Sequence, residues 1–353
     1  MPNQKTTKPI LVTGGAGYIA SWVIQYLLED GHSVRTTVRS VKDKNKIKHL
    51  LELQNKYPNQ LKFYESDLLV ERSFDLAMSE DAGCEIVIHM ASPFVIEGVK
   101  DAQKELVDPA LQGTKNVLNS VNECKTIKRV VLTSSVASVM GDGIDAEKSP
   151  NKCLDESHWN ETSSLKHQPY PYSKLLAEKE AWDMANAQSR WSLTTINPSF
   201  VLGPSLSDRI DGTSVNFMRS MVNGKFAAGV PELYMGIVDV RDVAKAHISA
   251  ALNDKSSGRH ITSAGVYTIL EMAKILKEHF GNRYWIPSFT LPKILAYAVG
   301  PLFGLSWDYI DKNVGRSFQL DNGYSIKDLG ISYRPVSETL ISHINQLAEA
   351  RLV

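Results

Sequence analysis

Cysteine is scarce in this sequence: Cys84, Cys124 and Cys153 are the three in 353 residues, and they stand far apart. An odd number without ligand-like spacing excludes a disulfide scaffold and a thiolate metal centre, and fits a reducing compartment. No metal site is expected. Neither sign of charge is in excess, since 39 basic and 39 acidic residues give a formal charge of zero. A nucleic-acid surface or an anionic-membrane patch needs a basic surplus, so neither partner is expected. Long apolar runs are missing too. Leu291-Pro-Lys-Ile-Leu-Ala-Tyr-Ala-Val-Gly-Pro-Leu-Phe-Gly-Leu305 holds Lys293 and is broken at Gly300-Pro301, whereas a membrane span takes about 20 apolar residues. A short helix packed on the rest of the protein is expected there. Met1 to Lys8 is polar, without the apolar core of a secretion signal, and a cytoplasmic location is expected.

What the chain does have is alternation, in an ordinary globular composition of 43% hydrophobic and 22% charged residues. Strand-like runs at Ile10 to Thr13, His32 to Val38, Leu61 to Glu65, Glu85 to Met90, Arg129 to Ser135 and Trp191 to Ile196 punctuate the first half. Helical patterns fall between them, near Gly17 to Leu28, Lys42 to Asn55, Glu71 to Ser79, Asp101 to Glu123 and Tyr172 to Ala187. Strand–helix alternation calls for an α/β fold, a doubly wound parallel sheet with helices on both faces. Beyond Pro198 the alternation weakens, and helices remain near Val240 to Leu252, Thr268 to Phe280 and Val336 to Leu347. The expected division is a dinucleotide-binding domain over 1–198, to which segments near 238–262 return, and a smaller, mostly helical substrate lobe over 199–353.

The first strand ends in Thr13-Gly-Gly-Ala-Gly-Tyr-Ile-Ala20. A Gly-rich turn between strand and helix is the setting of a dinucleotide fingerprint. Gly14 allows a sharp turn, and Gly17 lets the helix start come close to ligand and sheet. The N–H groups of the first helical turn, at Tyr18 and Ile19, then face the pyrophosphate. An NAD-preferring site usually ends its second strand with an acid that bonds the ribose 2′-hydroxyl. Here that strand ends Val38-Arg-Ser40, with Lys42, Lys44, Lys46 and Lys48 following. Arg39 can pair with a 2′-phosphate, so NADP(H) is the expected cofactor. Asp67 and Leu68, just after the third strand, fall where the adenine edge would lie. Asp67 can equally cap the helix that follows. Small residues at Ala91 and Ser92 end the fourth strand, as close passage beside a pyrophosphate and ribose requires. His89 reads as a strand residue.

The fifth strand ends Leu132-Thr-Ser-Ser135, and 35 residues later comes Tyr170-Pro-Tyr-Ser-Lys174. Residues four apart share a helix face, so Tyr170 and Lys174 can enter one cleft. That pair suits proton transfer at a carbonyl oxygen. A free phenol has a pKa near 10 (roughly); a nearby ammonium and an oxidised nicotinamide are both expected to favour the phenolate and lower it. A serine hydroxyl at the strand end can hold the substrate oxygen as charge develops.

At these motifs the chain resembles the extended short-chain dehydrogenases/reductases, and within them the dihydroflavonol reductases and the yeast- and bacterial-type aldehyde/ketone reductases. Lys46-Ile-Lys-His-Leu-Leu51, Gly113-Thr-Lys-Asn-Val-Leu118, Asn197-Pro-Ser-Phe-Val-Leu-Gly-Pro204 and Val238-Asp-Val-Arg-Asp-Val-Ala-Lys-Ala-His247 add to the likeness, which covers about 8–285. The resemblance implies a Rossmann domain, NADPH, and hydride transfer to a small-molecule carbonyl. It implies Ser135, Tyr170 and Lys174 as catalytic residues, with Lys174 also on the nicotinamide ribose. It places Pro198 and Phe200 beside the nicotinamide, and Arg39 with Lys46 on the 2′-phosphate. Two positions depart from the family pattern. Flavonoid-reducing members carry Asn five residues after the serine, where this chain has Met140. Members acting on cinnamoyl-CoA have Asn-Trp-Tyr-Cys-Tyr, where this chain has Gln168-Pro-Tyr-Pro-Tyr172. The expectation is therefore a stereoselective aldehyde or ketone reductase with an apolar pocket from Phe94, Met140, Leu206 and Phe217, and with Phe200 at its edge. The alternatives are a 3β-hydroxysteroid dehydrogenase-like enzyme, a nucleotide-sugar epimerase or dehydratase, or an NADP-sensing regulator that does not turn over. Family members are monomers or homodimers, and both remain open.

Overall fold

The computed structural model describes residues 6–93, 99–207 and 212–353. Ile10–Thr13 forms β1 with all four residues buried, as a parallel strand covered on both faces requires. In chain order the next elements are α1 (Tyr18–Glu29), β2 (Val34–Val38), α2 (Lys48–Lys56), β3 (Leu61–Glu65), α3 (Asp75–Ser79), β4 (Ile86–His89), α4 (Asp108–Glu123) and β5 (Arg129–Thr133). Then come β6 (Cys153–Leu154), α5 (Pro169–Asn186), β7 (Ser192–Pro198), β8 (Phe200–Leu202), α6 (Thr213–Val222), β9 (Val230–Pro231) and β10 (Tyr234–Asp239). They are followed by α7 (Val240–Leu252), β11 (Gly258–Thr262), β12 (Gly265–Thr268) and α8 (Ile269–Phe280).

The central sheet has seven strands in the order β11-β7-β5-β4-β1-β2-β3, every neighbouring pair parallel. The chain winds outward from β1 to β3, then returns to start again at β4 on the other side of β1. Between β1 and β4 the winding reverses, and a crevice opens there at the strands' C-terminal ends. Alternation within β1 sorts the two cores. Ile10 and Val12 meet Val23, Ile24 and Leu27 of α1 and Ala244 and Ile248 of α7. Leu11 faces the opposite side, with Val117 and Val121 of α4 and Ala181 of α5.

Several helix starts lie later than periodicity predicts. The lysine-rich segment expected to be helical from Lys42 begins its helix at Lys48; before it, the Asp43 carboxylate accepts the Lys46 N–H in a turn. The stretch from Glu71 becomes helical at Asp75, because Arg72 takes a φ of 61° that no helix accommodates. The expected helix from Asp101 opens as a wide π turn over Gln103–Val107 before α4. Pro109 sits at the start of α4 and lacks the N–H for an α-type bond. β5 stops at Thr133, two residues short of the expected end, and Ser135 caps a 3₁₀ turn over Val136–Ser138.

The C-terminal region also contains a three-stranded sheet ordered β12-β10-β8. Met218, Met221, Met272 and Leu276 of α6 and α8 pack with Leu340 and Ile344 of the last helix, Val336–Glu349. The apolar stretch 291–305 is a short helix, Lys293–Val299, then a 3₁₀ turn, with Ala296 buried and Ile294 78% exposed. Helix Trp307–Asn313 follows it. No helix among the described residues is long and apolar enough to cross a membrane.

Candidate active site

At the end of β1, Gly14 has a φ of +70°, and a Cβ there would lie 2.8 Å from the Ala91 Cα. A Cβ on Gly15 would lie 2.0 Å from Thr36 Oγ1. The backbone at β1 and β4 therefore closes to a spacing that side chains would prevent. Gly17 starts α1 with no side-chain cap, so the first-turn N–H groups at Tyr18 and Ile19 stay open to a ligand. The Tyr18 hydroxyl itself donates to the Gly203 carbonyl at 2.5 Å, and Trp22 Nε1 to Pro204 O at 2.8 Å. Those two bonds tie α1 to the turn after β8. This cradle fits a dinucleotide pyrophosphate. Thr13 organises the neighbouring crossing: its Oγ1 accepts the Met90 and Ala91 N–H groups at 3.0 Å and bonds His89 Nδ1 at 2.9 Å. Burial pushes the His89 imidazole down to about 3, so the ring is a neutral spacer at the strand end.

Arg39 is exposed just beyond β2 and has no side-chain partner among the described residues. Lys46 is exposed too, but its Nζ is 3.0 Å from the Asp43 carboxylate. Asp67 accepts the Leu69 N–H at 2.8 Å in a turn. It does not cap α3, which begins eight residues later. Leu68 lies against Gly113 of α4, and its carbonyl accepts from Asn116 Nδ2 at 2.7 Å.

Three hydroxyls follow one another at the end of β5, and two of them are consumed. Thr133 Oγ1 bonds His247 Nε2 at 2.7 Å, and Ser134 Oγ donates to the Glu178 carboxylate. Ser135 Oγ accepts the Ala137 N–H at 3.1 Å, and its proton has no acceptor among the described residues. It is left to donate to a ligand. On α5, Lys174 Nζ donates to Ser92 Oγ at 3.0 Å and stands 5.8 Å from the centre of the Tyr170 ring. Lys174 shares a small cavity with His89, Ala91, Ser92, Thr133 and Glu178. Burial pushes the Lys174 ammonium down to about 8, with the Glu178 carboxylate acting the other way. Burial also raises the Tyr170 phenol well above its ordinary value. Desolvation is the cause of that rise, and the Lys174 ammonium is bonded to Ser92. Burial thus favours the protonated phenol.

The pocket candidates divide. Phe200 and Phe217 meet edge to face with ring centres 5.3 Å apart, so the residue expected beside the nicotinamide packs on one expected in the pocket. Met140 packs half-buried against the cluster of Val139, Ala146, Leu154 and Phe318. Leu206 is half-buried in the turn after β8, and Pro198 is buried at the end of β7. Phe94 lies outside the described residues.

Sequence reasoning missed Glu178, which is buried behind Ser134 and Ser135 and ion-paired to Arg259 on β11 at 2.6 Å. Its signal was helical spacing, four residues after Lys174, on a face otherwise filled by Leu175 and Ala181. Its partner comes from a strand 81 residues away. No spacing rule reaches that far.

A model of the NAD dependent epimerase/dehydratase family matches residues 10–265. Cinnamoyl-CoA reductase CAD2 of Medicago truncatula is 36% identical over 353 residues, covering 99% of each chain. Tetraketide alpha-pyrone reductase 2 of Arabidopsis thaliana is 40% identical over 275 residues, 77% of this chain and 83% of its own. Among solved structures, the yeast methylglyoxal/isovaleraldehyde reductase Gre2 complexed with NADPH aligns with a TM-score of 0.81 at 28% identity. That alignment covers 98% of this chain and 100% of the yeast one.

Proposed function

The chain belongs to the NAD dependent epimerase/dehydratase family, the extended short-chain dehydrogenases/reductases, and is an oxidoreductase; from that premise we propose that it is an NADPH-dependent reductase of aldehydes or ketones. The observation that carries the reading is the trio at the crevice: a serine with an unspent proton, a tyrosine kept protonated by burial, and a lysine one helical turn away. A nicotinamide dinucleotide, when bound, supplies the hydride. Gly14, Gly17, Tyr18 and Ile19 would hold its pyrophosphate, and Arg39 with Lys46 its 2′-phosphate. Asp67 and Leu68 would border the adenine, and Ala91 and Ser92 the central riboses. Pro198 and Phe200 would flank the nicotinamide. NADPH in the yeast relative supports this choice of cofactor. Ser135 donates its hydroxyl to the substrate oxygen and orients it. Tyr170 transfers its phenolic proton to that oxygen as negative charge develops, so the product is an alcohol. Lys174 holds ribose hydroxyls and offsets the charge left on Tyr170. The reading keeps 1–198, with 238–262, as the cofactor-binding part and 199–353 as the substrate lobe.

A pH dependence follows. The Lys174 ammonium sits at about 8 in the folded protein, below the ordinary lysine range, so the cation is present below that pH and lost above it. Catalytic efficiency should fall with rising pH through about 8, tenfold per unit, because kcat/KM reports groups of the free enzyme. Efficiency still flat at about pH 9.5 would remove Lys174 from the proton-linked step.

The pocket sets the substrate class. Phe200, Phe217 and Met140 offer apolar, polarizable walls, and methionine supplies no strong donor for a ring hydroxyl. A bulky apolar or aromatic carbonyl should therefore exceed a dihydroflavonol or a nucleotide sugar in kcat/KM by about 10²-fold. The check is NADPH consumption across such a panel, with chiral analysis of the alcohol. Preference for the dihydroflavonol or the sugar nucleotide would overturn the apolar-carbonyl reading and leave the hydride chemistry standing.

A further inference from the structure

A carboxylate in a protein interior is costly unless its lone pairs are met by donors. Glu178 is fully buried on α5, one turn beyond Lys174. Its Oε1 accepts from Arg259 Nε at 2.6 Å and, at 3.3 Å each, from Thr195 Oγ1 of β7 and Trp182 Nε1 of α5. Its Oε2 accepts from Asn197 Nδ2 at 2.7 Å and from the hydroxyls of Ser134 and Ser138. Arg259 is equally committed. Its Nη1 donates to the carbonyls of Glu156 and His158 at 2.8 and 2.5 Å, its Nη2 to Ser138 Oγ at 3.2 Å, and its plane lies 3.7 Å over the Trp159 ring.

Two of the groups gathered on Glu178 also hold the Ser135 main chain. The Ser135 carbonyl accepts from Ser138 Oγ at 2.7 Å and from Asn197 Nδ2 at 3.3 Å. The single Ser138 proton is thus shared between the Ser135 carbonyl and Glu178. One carboxylate on the helix that carries Tyr170 and Lys174 therefore orients two side chains that bond the Ser135 carbonyl.

We infer that Glu178 is a positioning residue, which through Ser138 and Asn197 locks the Ser135 loop in register with the Tyr170–Lys174 helix. Both of its oxygens are taken up by protein donors, so it acts through other side chains. A bound carbonyl oxygen must meet Ser135 from β5 and Tyr170 from α5 together, and the two come from different elements. Glu178 supplies the cross-tie. This inference rests on the carbonyl-reductase reading only in naming Ser135 as the donor to the substrate oxygen.

The test uses Glu178→Gln, which keeps the shape but turns an acceptor into a donor, and Ser138→Ala, which removes one link and leaves the Glu178–Arg259 pair. Amide hydrogen exchange over 134–139 should quicken about tenfold or more in both, with the rest of the sheet unchanged. With the preferred carbonyl substrate, kcat should fall about 10- to 100-fold, as misplaced reacting groups do, while substrate KM and the NADPH dissociation constant stay within about twofold. Unchanged exchange in both variants, or an unchanged kcat, would overturn the inference. So would parallel losses of NADPH affinity, KM and global stability, since those mark a merely structural pair. If Glu178→Gln does not fold, Ser138→Ala decides by the same readouts. A wild type that reduces no carbonyl would defeat the functional reading alone, and the exchange measurement would still decide the positioning role.

Discussion

Tyr170→Phe should lower kcat by about 10²- to 10⁴-fold, the usual worth of a positioned acid, and leave the NADPH dissociation constant within about twofold. The ring remains, so the contacts along α5 persist, while the proton that must reach the substrate oxygen is gone. Burial raises the phenol, which keeps the acid loaded across the physiological range. The loss should appear equally in kcat and kcat/KM, the signature of an interaction made in the transition state. Tyr172 is the control, two residues along the same helix and on another face. Tyr172→Phe should change kcat by less than about threefold. A severe Tyr172→Phe beside a mild Tyr170→Phe would mean that the proton comes from Tyr172. Steady-state kinetics with NADPH fluorescence titration give both numbers.

Arg39→Asp should cut the preference for NADPH over NADH, as a ratio of kcat/KM values, by roughly 10²-fold. In the proposed reading Arg39 would pair with the 2′-phosphate, and the substitution replaces that guanidinium with a repelling carboxylate. Arg39 is the stronger lever of the two basic candidates. Its guanidinium has no partner among the described residues, whereas Lys46 must first leave Asp43, 3.0 Å away. Lys46→Ala should accordingly move the ratio several-fold less. A wild type that prefers NADH, or an Arg39→Asp ratio equal to wild type, would take the phosphate away from Arg39.

Much of the fold was legible because its signals are local. Buried parallel strands read as short aliphatic runs, and Ile10 to Thr13 needs no partner to be recognised. Glycines that let two backbones close are equally plain, since Gly14 and Gly17 sit where strand becomes helix. The tyrosine and lysine share a face by helical arithmetic alone. Helix starts were less legible. Lys42 to Ile47 carries a helical pattern, yet the Asp43 carboxylate finds the Lys46 N–H in a turn, and local side-chain bonds of this kind compete with the helix.

What the sequence determined by itself is the class of chemistry: a dinucleotide cradle, a basic second-strand end and a Ser…Tyr-x-x-x-Lys set, each written in neighbouring residues. Tertiary structure decided the states and surroundings of those groups. Whether the Tyr170 phenol rises or falls depends on burial against the reach of Lys174, and Ser92 draws that ammonium aside. Which of Thr133, Ser134 and Ser135 keeps a proton to give depends on His247 and Glu178, residues far along the chain. The Glu178–Arg259 pair joins α5 to β11 across 81 residues. Desolvation and hydrogen-bond competition are set by whatever folds against a group, and that is fixed only when distant segments meet.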